Sequence, residues 1–383
     1  MAHIRAIAVL LLLPLLLSGC WNAREIENLL YVNALGVDYV DNKFEVYAQI
    51  LSFSTIAKQE AGGERSASGV AIAKGSGDSF VSALFSLYPT NQEQMTWSHI
   101  RSLVLSEQVL KHQHLDQVID ELDRFYEFRY TIWTYATKDP LMDILTPKQV
   151  FNQPVIYSQL SNPQDLHKQN SVIYPMKLFQ FVSKRDEPNK VVYLPMLSIN
   201  RKTWTEDNKP LPQLKTTGAC MLQNKEVKGC WPRSELLGLR WLDEHTNRSL
   251  LTVKKGKQPL ANLVLQKPKV KIQPLLRDNQ VTFQIDVELL GFMPQYQHIS
   301  PVREIEKEAA KKIEEEIRGL YEKGREQQMD TLQLGHTLYR KYPQEWKRMQ
   351  QNGALPLQHS SLGAVNVKVT IHDGGISKVK QVR

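Results

Sequence analysis

The chain has 383 residues, 42% of them hydrophobic and 23% charged, with a formal net charge of +8. These proportions exclude a disordered or low-complexity chain, and the length exceeds what one hydrophobic core fills, so two or three folding units are expected. The positive balance suits an anionic membrane surface or wall polymer but does not by itself choose a partner.

The chain opens on a short basic stretch (His3, Arg5) and an apolar run from Ala6 to Leu17, broken once by Pro14. Such a run has the form of a secretory signal peptide. It is well short of the roughly 20 residues a membrane-spanning helix needs. Leu17-Ser18-Gly19-Cys20 follows, a bulky apolar residue, two small ones and a cysteine. This tetrapeptide resembles the lipobox of bacterial lipoproteins. On that resemblance cleavage falls between Gly19 and Cys20, and Cys20 carries an S-diacylglyceryl group and an N-acyl chain. The competing reading is an ordinary signal peptide that happens to precede a cysteine. Removing the signal peptide removes Arg5, so the charge falls from +8 to +7.

In the mature chain Leu29 to Val40 and the alternating Phe44 to Ile50 flank Asp41-Asn42-Lys43, which predicts a β-hairpin. Gln59 to Gly69 has no apolar period and reads as a loop. Val70 to Ala73 is a short strand. Lys74-Gly75-Ser76-Gly77-Asp78-Ser79 then leads into a helix from about Phe80 to Leu87. Its glycines suggest a phosphate cradle, but the third glycine position of that motif is Phe80, and a turn with Asp78 or Ser79 as N-cap is the better account. A strand (His99 to Ser106), a helix (about Leu115 to Tyr126, with Leu115, Val118, Ile119, Leu122 and Phe125 in one stripe) and a strand (Tyr130 to Thr137) predict a sheet covered by helices. His99, His112 and His114 lack the further ligands a closed zinc site requires, so no metal is expected. Asp139-Pro140 opens a short helix through Leu145, and Val172 to Val182 is an apolar segment that packs along the same unit. The charged Ser183 to Asn189 stretch is read as a break.

A small second unit is expected next, with a strand at Val191 to Leu194 and a hairpin between Cys220 and Cys230. A three-residue loop there would set the two cysteines opposite each other for a disulfide. A two-residue loop would slip the register and leave free thiols. Pro232 is expected to open a helix carrying Leu236, Leu239, Arg240 and Trp241, and Lys254 to Pro259 reads as a basic linker. The third unit has two long strands, Leu260 to Ile272 and Gln280 to Leu290, around an Arg277-Asp278-Asn279 turn. A long helix follows from about Pro301 to Gln327, with Ser300 as its cap. Ile305, Ala309, Ile313, Ile317 and Leu320 form its apolar stripe, while Glu304, Glu308, Glu314, Glu315 and Glu316 are expected to face water beside Lys307, Lys311 and Lys312. A second helix (Thr331 to Arg340) and a final strand (Val365 to Ile371) end the unit, with Tyr342 and Trp346 either interface anchors or part of the unit's own core. The fold class is therefore α+β, with mixed or antiparallel sheets flanked by helices. The partition is 1–19 signal peptide, 20–185 N-terminal unit, 186–258 middle unit and 259–383 C-terminal unit.

Four runs of residues carry a family resemblance: Gly19-Cys20-Trp21 with Arg24-Glu25-Ile26, then Gly36-Val37-Asp38, then Gly238-Leu239-Arg240-Trp241-Leu242, and finally Leu334-Gly335-His336-Thr337-Leu338-Tyr339-Arg340-Lys341-Tyr342-Pro343-Gln344-Glu345-Trp346. With these the chain resembles the Ger(x)C family of spore germination lipoproteins, the C subunits of nutrient germinant receptors. Asn22 departs from the acidic residue many members carry there. The resemblance implies a three-domain, non-enzymatic protein, tethered by Cys20 to the outer face of the spore inner membrane and partnered by a membrane-bound A subunit and a permease-like B subunit. It implies no catalytic residue and no cofactor beyond the lipid. Neither nucleic acid nor a direct small-molecule ligand is expected. A solute-binding lipoprotein of a transporter is the alternative function, disfavoured because the chain reads as three unequal units rather than two lobes around a cleft. A wall hydrolase is disfavoured because no Gly-x-Ser-x-Gly or His-Glu-x-x-His appears.

Overall fold

The computed structural model describes residues 29–51, 70–111, 114–278, 280–296 and 300–373. Gly19, Cys20, His112 and the Gln59 to Gly69 stretch lie outside them. β1 (Leu29–Val40) turns through Asp41 and Asn42, both at positive φ, into the antiparallel β2 (Lys43–Leu51). That two-residue turn matches the right-handed twist of the strands it joins. β3 (Val70–Gly77) pairs antiparallel with β2, while β4 (Gln94–Thr96) and β5 (Ser102–Ser106) both run parallel to β1. β6 (Trp133–Thr137) lies parallel to β5 and antiparallel to the short β7 (Met176–Lys177). β5 is buried along its whole length, as expected of a parallel strand covered on both faces.

Covering helices are α1 (Phe80–Phe85), α2 (Glu107–Leu110), α3 (His114–Arg124), α4 (Leu141–Leu145), α5 (Pro163–Gln169) and α6 (Leu178–Asp186). Phe80 and Leu84 of α1, Leu115, Val118 and Leu122 of α3 and Phe181 of α6 share one core with Val32, Val46 and Leu103. Leu141, Ile144 and Leu145 of α4 pack on the other face against Ala34, Val104 and Tyr135. Ser79 caps α1, accepting from the Ser82 N–H at 3.1 Å while its own N–H donates to Ser82 Oγ. The glycine-containing run ahead of it is thus the end of β3 and a helix cap.

β8 (Val191–Asn200) runs parallel to β6, so the segment expected to start a separate unit continues the first sheet. After a small ribbon of β9 (Thr205–Glu206) and β10 (Lys209–Pro210), β11 (Gln213–Gln223) pairs with β8 and β12 (Glu226–Pro232) forms the edge. The strand order is β12-β11-β8-β6-β5-β1-β2-β3. The expected boundary at 185/186 falls inside α6. Its charges do not mark a break there, because Arg185 is buried and its guanidinium pairs with Asp116 of α3 at 2.8 Å. Pro232 ends β12 rather than opening an α-helix, and two single-turn 3₁₀ helices follow, Arg233–Glu235 and Leu237–Trp241.

The second large sheet has the order β13 (Ser249–Lys255), β14 (Gln258–Arg277), β15 (Gln280–Tyr296) and β16 (Leu362–Asp373), the last parallel to β15. The expected linker Lys254 to Pro259 is the tip of the β13–β14 hairpin. Lys255 pairs with Gln258 there, and Gly256 supplies the positive φ. The long helix α7 (Val302–Glu326) lays Ile305, Ala309, Ile313 and Ile317 on Phe283, Ile285, Val287 and Leu289, a face set by the strict alternation of β15. Burying each such aliphatic side chain contributes roughly 1.5–3 kcal/mol before chain entropy is counted. Ser300 does not cap α7. Pro301 occupies the cap position with φ −57°, and Ser300 is buried. Two short helices follow, α8 (Leu334–Lys341) and α9 (Pro343–Met349). The architecture is α+β with several sheets, as expected from the sequence.

These placements predict the pattern of limited proteolysis. Trypsin should cut first at the exposed Lys254–Lys257 tip and spare the Lys184–Arg185 pair, which lies in a packed helix. Early fragments ending at Lys184 or Arg185 would show that α6 is not held against α3.

Candidate functional site at the junction of the two sheets

β11 faces two ways. Ala219 and Met221 point into the core of the second sheet with Trp231, whereas Cys220 and Leu222 point into the core of the first. Cys220 and Cys230 stand directly opposite across the hairpin and are joined by a disulfide. The loop between the strands is Asn224-Lys225, two residues at positive φ, and a bulge between Met221 and Leu222 adds the residue that brings the cysteines back into register. Both turn lengths weighed from the sequence were too simple, because a bulge leaves no signature in residue type here.

Two polar clusters hold α7 and α8 against the segments that flank this wall. In the first, Arg240 is buried and its Nη2 reaches Glu316 at 3.1 Å. Trp241 Nε1 donates to the same carboxylate oxygen, Oε2, at 2.7 Å, and Arg240 Nη1 donates to Ser249 Oγ and the Leu250 carbonyl. The guanidinium also lies 4.3 Å from the centre of the Trp241 ring. Burial pulls the Arg240 pKa down and Glu316 opposes that pull. Glu316 is therefore no part of the solvated face of α7. Nothing in the periodicity distinguishes it from Glu315, because its partner arrives from 76 residues away. Gly238 permits this approach, since a Cβ there would lie 2.5 Å from the Glu316 carbonyl oxygen.

The second cluster centres on Asp330, which sequence reasoning did not single out. Its carboxylate accepts from the N–H groups of Leu334 (2.8 Å) and Gly335 (2.6 Å) at the start of α8 and from Asn189 Nδ2 (2.9 Å). Asn189 Oδ1 accepts from Leu355 N–H in turn. Gln333 pairs with the backbone of Val191 through both its amide atoms, and His336 bridges to the Pro188 carbonyl and to Glu187. A Cβ on Gly335 would fall 2.1 Å from Asn189 Nδ2. Burial pushes the Asp330 carboxyl up to about 6 against the pull of these donors. Its hydrogen bonds go to groups of its own fold, so it is engaged structurally and offers no free base. Burial likewise lowers His336.

Among the candidate anchors, Tyr342 is 44% exposed. Trp346 lies within α9, half-buried, edge-on to Tyr339 at 5.1 Å and packed on the second core. It is therefore core-facing rather than a free anchor. His114 stacks on Tyr39 and His99 meets Tyr31 edge-on, so these two histidines belong to separate aromatic contacts. Among the described residues no three His, Cys, Asp or Glu side chains converge to hold a metal ion, and no helix is long and apolar enough to cross a membrane.

Glu316→Ala would leave Arg240 buried without its counter-charge, and a loss of about 3–5 kcal/mol is expected in denaturant unfolding. A loss below about 1 kcal/mol would mean the pair is not what ties the 3₁₀ turn to α7. Asp330 predicts a pH dependence. Its folded pKa lies above the ordinary value, so the folded state binds the proton more tightly than the unfolded one. Its contribution is full below about pH 4, declines as pH rises to about 6 and is constant above that. Between pH 4 and 6 the melting temperature of the wild type should therefore fall relative to that of Asp330→Asn. At pH 7 the variant should be less stable by about 1–3 kcal/mol, because its amide N–H₂ faces donors. Parallel curves across pH 4–6 would remove Asp330 as the titrating group.

Two family profiles together match most of the chain. Residues 22–199 match the spore germination protein N-terminal domain, and residues 217–375 match the spore germination B3/GerAC-like C-terminal domain. The chain is 24% identical over 362 residues to spore germination protein KC of Bacillus subtilis (strain 168), covering 90% of this chain and 89% of that one. It is 19% identical over 355 residues to spore germination protein B3 of the same organism, covering 89% and 90%. Among solved structures, the crystal structure of the GerBC protein superposes with a TM-score of 0.56 at 16% identity, covering 88% of this chain and 96% of that one.

Proposed function

Because the chain belongs to the Ger(x)C family of spore germination proteins, we propose that it is the C subunit of a nutrient germinant receptor, a non-enzymatic lipoprotein that works by assembling with the membrane-bound A and B subunits. The observation that carries this reading is the match of both family domains across residues 22–199 and 217–375. The polar clusters at the junction are in keeping with it. Arg240, Glu316, Asn189 and Asp330 are spent on contacts within the chain, which suits a subunit that presents a fixed surface.

Its place is the outer face of the spore inner membrane, and its anchor is the lipid on Cys20. A single myristoyl-sized chain binds membranes only marginally, and stable attachment needs a second chain or signal. A diacylglyceryl group supplies two chains at once. The positive charge of the mature chain adds at most a weak, salt-screened attraction.

The test is Cys20→Ala expressed without the other subunits. The wild type should sediment with membranes and begin at an acylated Cys20 by mass spectrometry. The variant should move to the supernatant at moderate salt, and in a strain that keeps the other subunits it should lower germination through the receptor. An unacylated wild-type Cys20, or a variant that still sediments in high salt, would refute the anchor. Failure of the tagged wild type to co-purify a permease-like membrane protein would refute the receptor assignment.

A further inference from the structure

A cleft of about 300 Å³ opens between α5, the ends of β8 and β11 and the loop bearing Trp204, away from the junction clusters. Its composition is one-sided. Arg233 and Lys215 line it, and no aspartate or glutamate does. Arg233 is half-buried, and its Nη2 donates to the amide oxygen of Asn170 at 2.9 Å. Among the described residues no carboxylate pairs with it. Burial lowers its pKa, and the other group acting on it is a second cation, Arg240. A half-buried guanidinium that lines a cleft and has no carboxylate partner is placed to take one from outside the chain.

The lining bears on what that anion carries. Trp204 is 49% exposed on the wall, and Leu166, Pro195 and Leu214 complete an apolar lining. Gln159 Nε2 donates to the Thr216 hydroxyl at 2.6 Å, which ties two of the lining side chains together. The volume lies at the lower end of the range for small-molecule sites and is short for an extended peptide.

We propose that this cleft is a binding site for a small carboxylate with an apolar or aromatic body, its carboxylate on Arg233 and its body against Trp204. The bidentate fork of arginine is suited to a carboxylate, and the indole face to a flat apolar group. This departs from the expectation that the chain takes no small-molecule ligand. It does not rest on the receptor assignment, since the cleft is built from this chain alone.

The probe is 3-phenylpropionate, titrated against the full-length protein by saturation-transfer NMR, with 3-phenylpropionamide as the uncharged match. For a ligand of this size a dissociation constant on the order of 0.1–10 mM is expected. The amide should bind at least fivefold more weakly to the wild type, a comparison that needs no variant to fold. Arg233→Gln and Trp204→Ala should each weaken the carboxylate at least fivefold while leaving the melting temperature within a few degrees. No saturable binding below 20 mM, equal binding of acid and amide, or unchanged binding in Arg233→Gln would overturn the site. Binding confined to acidic peptides would overturn it too, and would mark the cleft as a contact for a protein partner.

Discussion

The two-sided burial of the β11–β12 hairpin is the constraint on which the rest of this molecule depends. Successive residues of a strand point to opposite faces, so Cys220 and Leu222 can serve one core only if Ala219 and Met221 serve the other. A slip of one residue would exchange both sets at once and damage two cores rather than one. The bulge beside Met221 and the disulfide fix the register where such a slip would be most costly. A cross-link spanning so few residues removes only modest entropy from the unfolded chain, about 2–3 kcal/mol in the loop-closure model. Its position matters more than its loop length.

Around this wall, polar contacts accompany the apolar ones made by Ala219, Met221 and Trp231. A purely apolar seam between two cores would tolerate sliding, because dispersion and hydrophobic burial have little direction. Hydrogen bonds to a buried charge do have direction, and leaving them unmade costs the full desolvation of the group. Glu316 receives Arg240 and Trp241 together, and Asp330 receives Asn189 and the first N–H groups of α8 together. Asp330 therefore specifies how α8 sits against the loop that leads into β8, and Glu316 how the 3₁₀ turn sits against α7.

Much of the local structure was legible in the sequence. The alternating residues of β15, the apolar stripe of α7 and the stripe of α3 have periods that only one element type satisfies. Pairing between distant strands was not legible. Val191 to Leu194 reads as a strand, but nothing in it says that β6 waits beside it, and a charged stretch ahead of it reads as a break until Arg185 is seen against Asp116. The same limit hid the junction. Glu316 has the sequence surroundings of any solvent-facing glutamate on a charged helix, and Asp330 sits in a turn where aspartate is ordinary. Both became buried acceptors through partners supplied by other parts of the chain.

The runs that carry the family resemblance acquire a physical meaning at this junction. Gly238 is small so that the 3₁₀ turn can reach the backbone of α7, and Arg240 and Trp241 then close on Glu316. Gly335 is small so that Asn189 can reach Asp330, and His336 beside it reaches back to Glu187 and Pro188. These residue types are ones that a reader searching for chemistry would assign to a site, since Arg, Trp, Asp and His are common there. Their side chains instead spend their hydrogen bonds within the chain. Separating α8 from the loop that leads into β8 would strip Asn189 from the buried Asp330 carboxylate, and separating the 3₁₀ turn from α7 would strip Arg240 and Trp241 from Glu316.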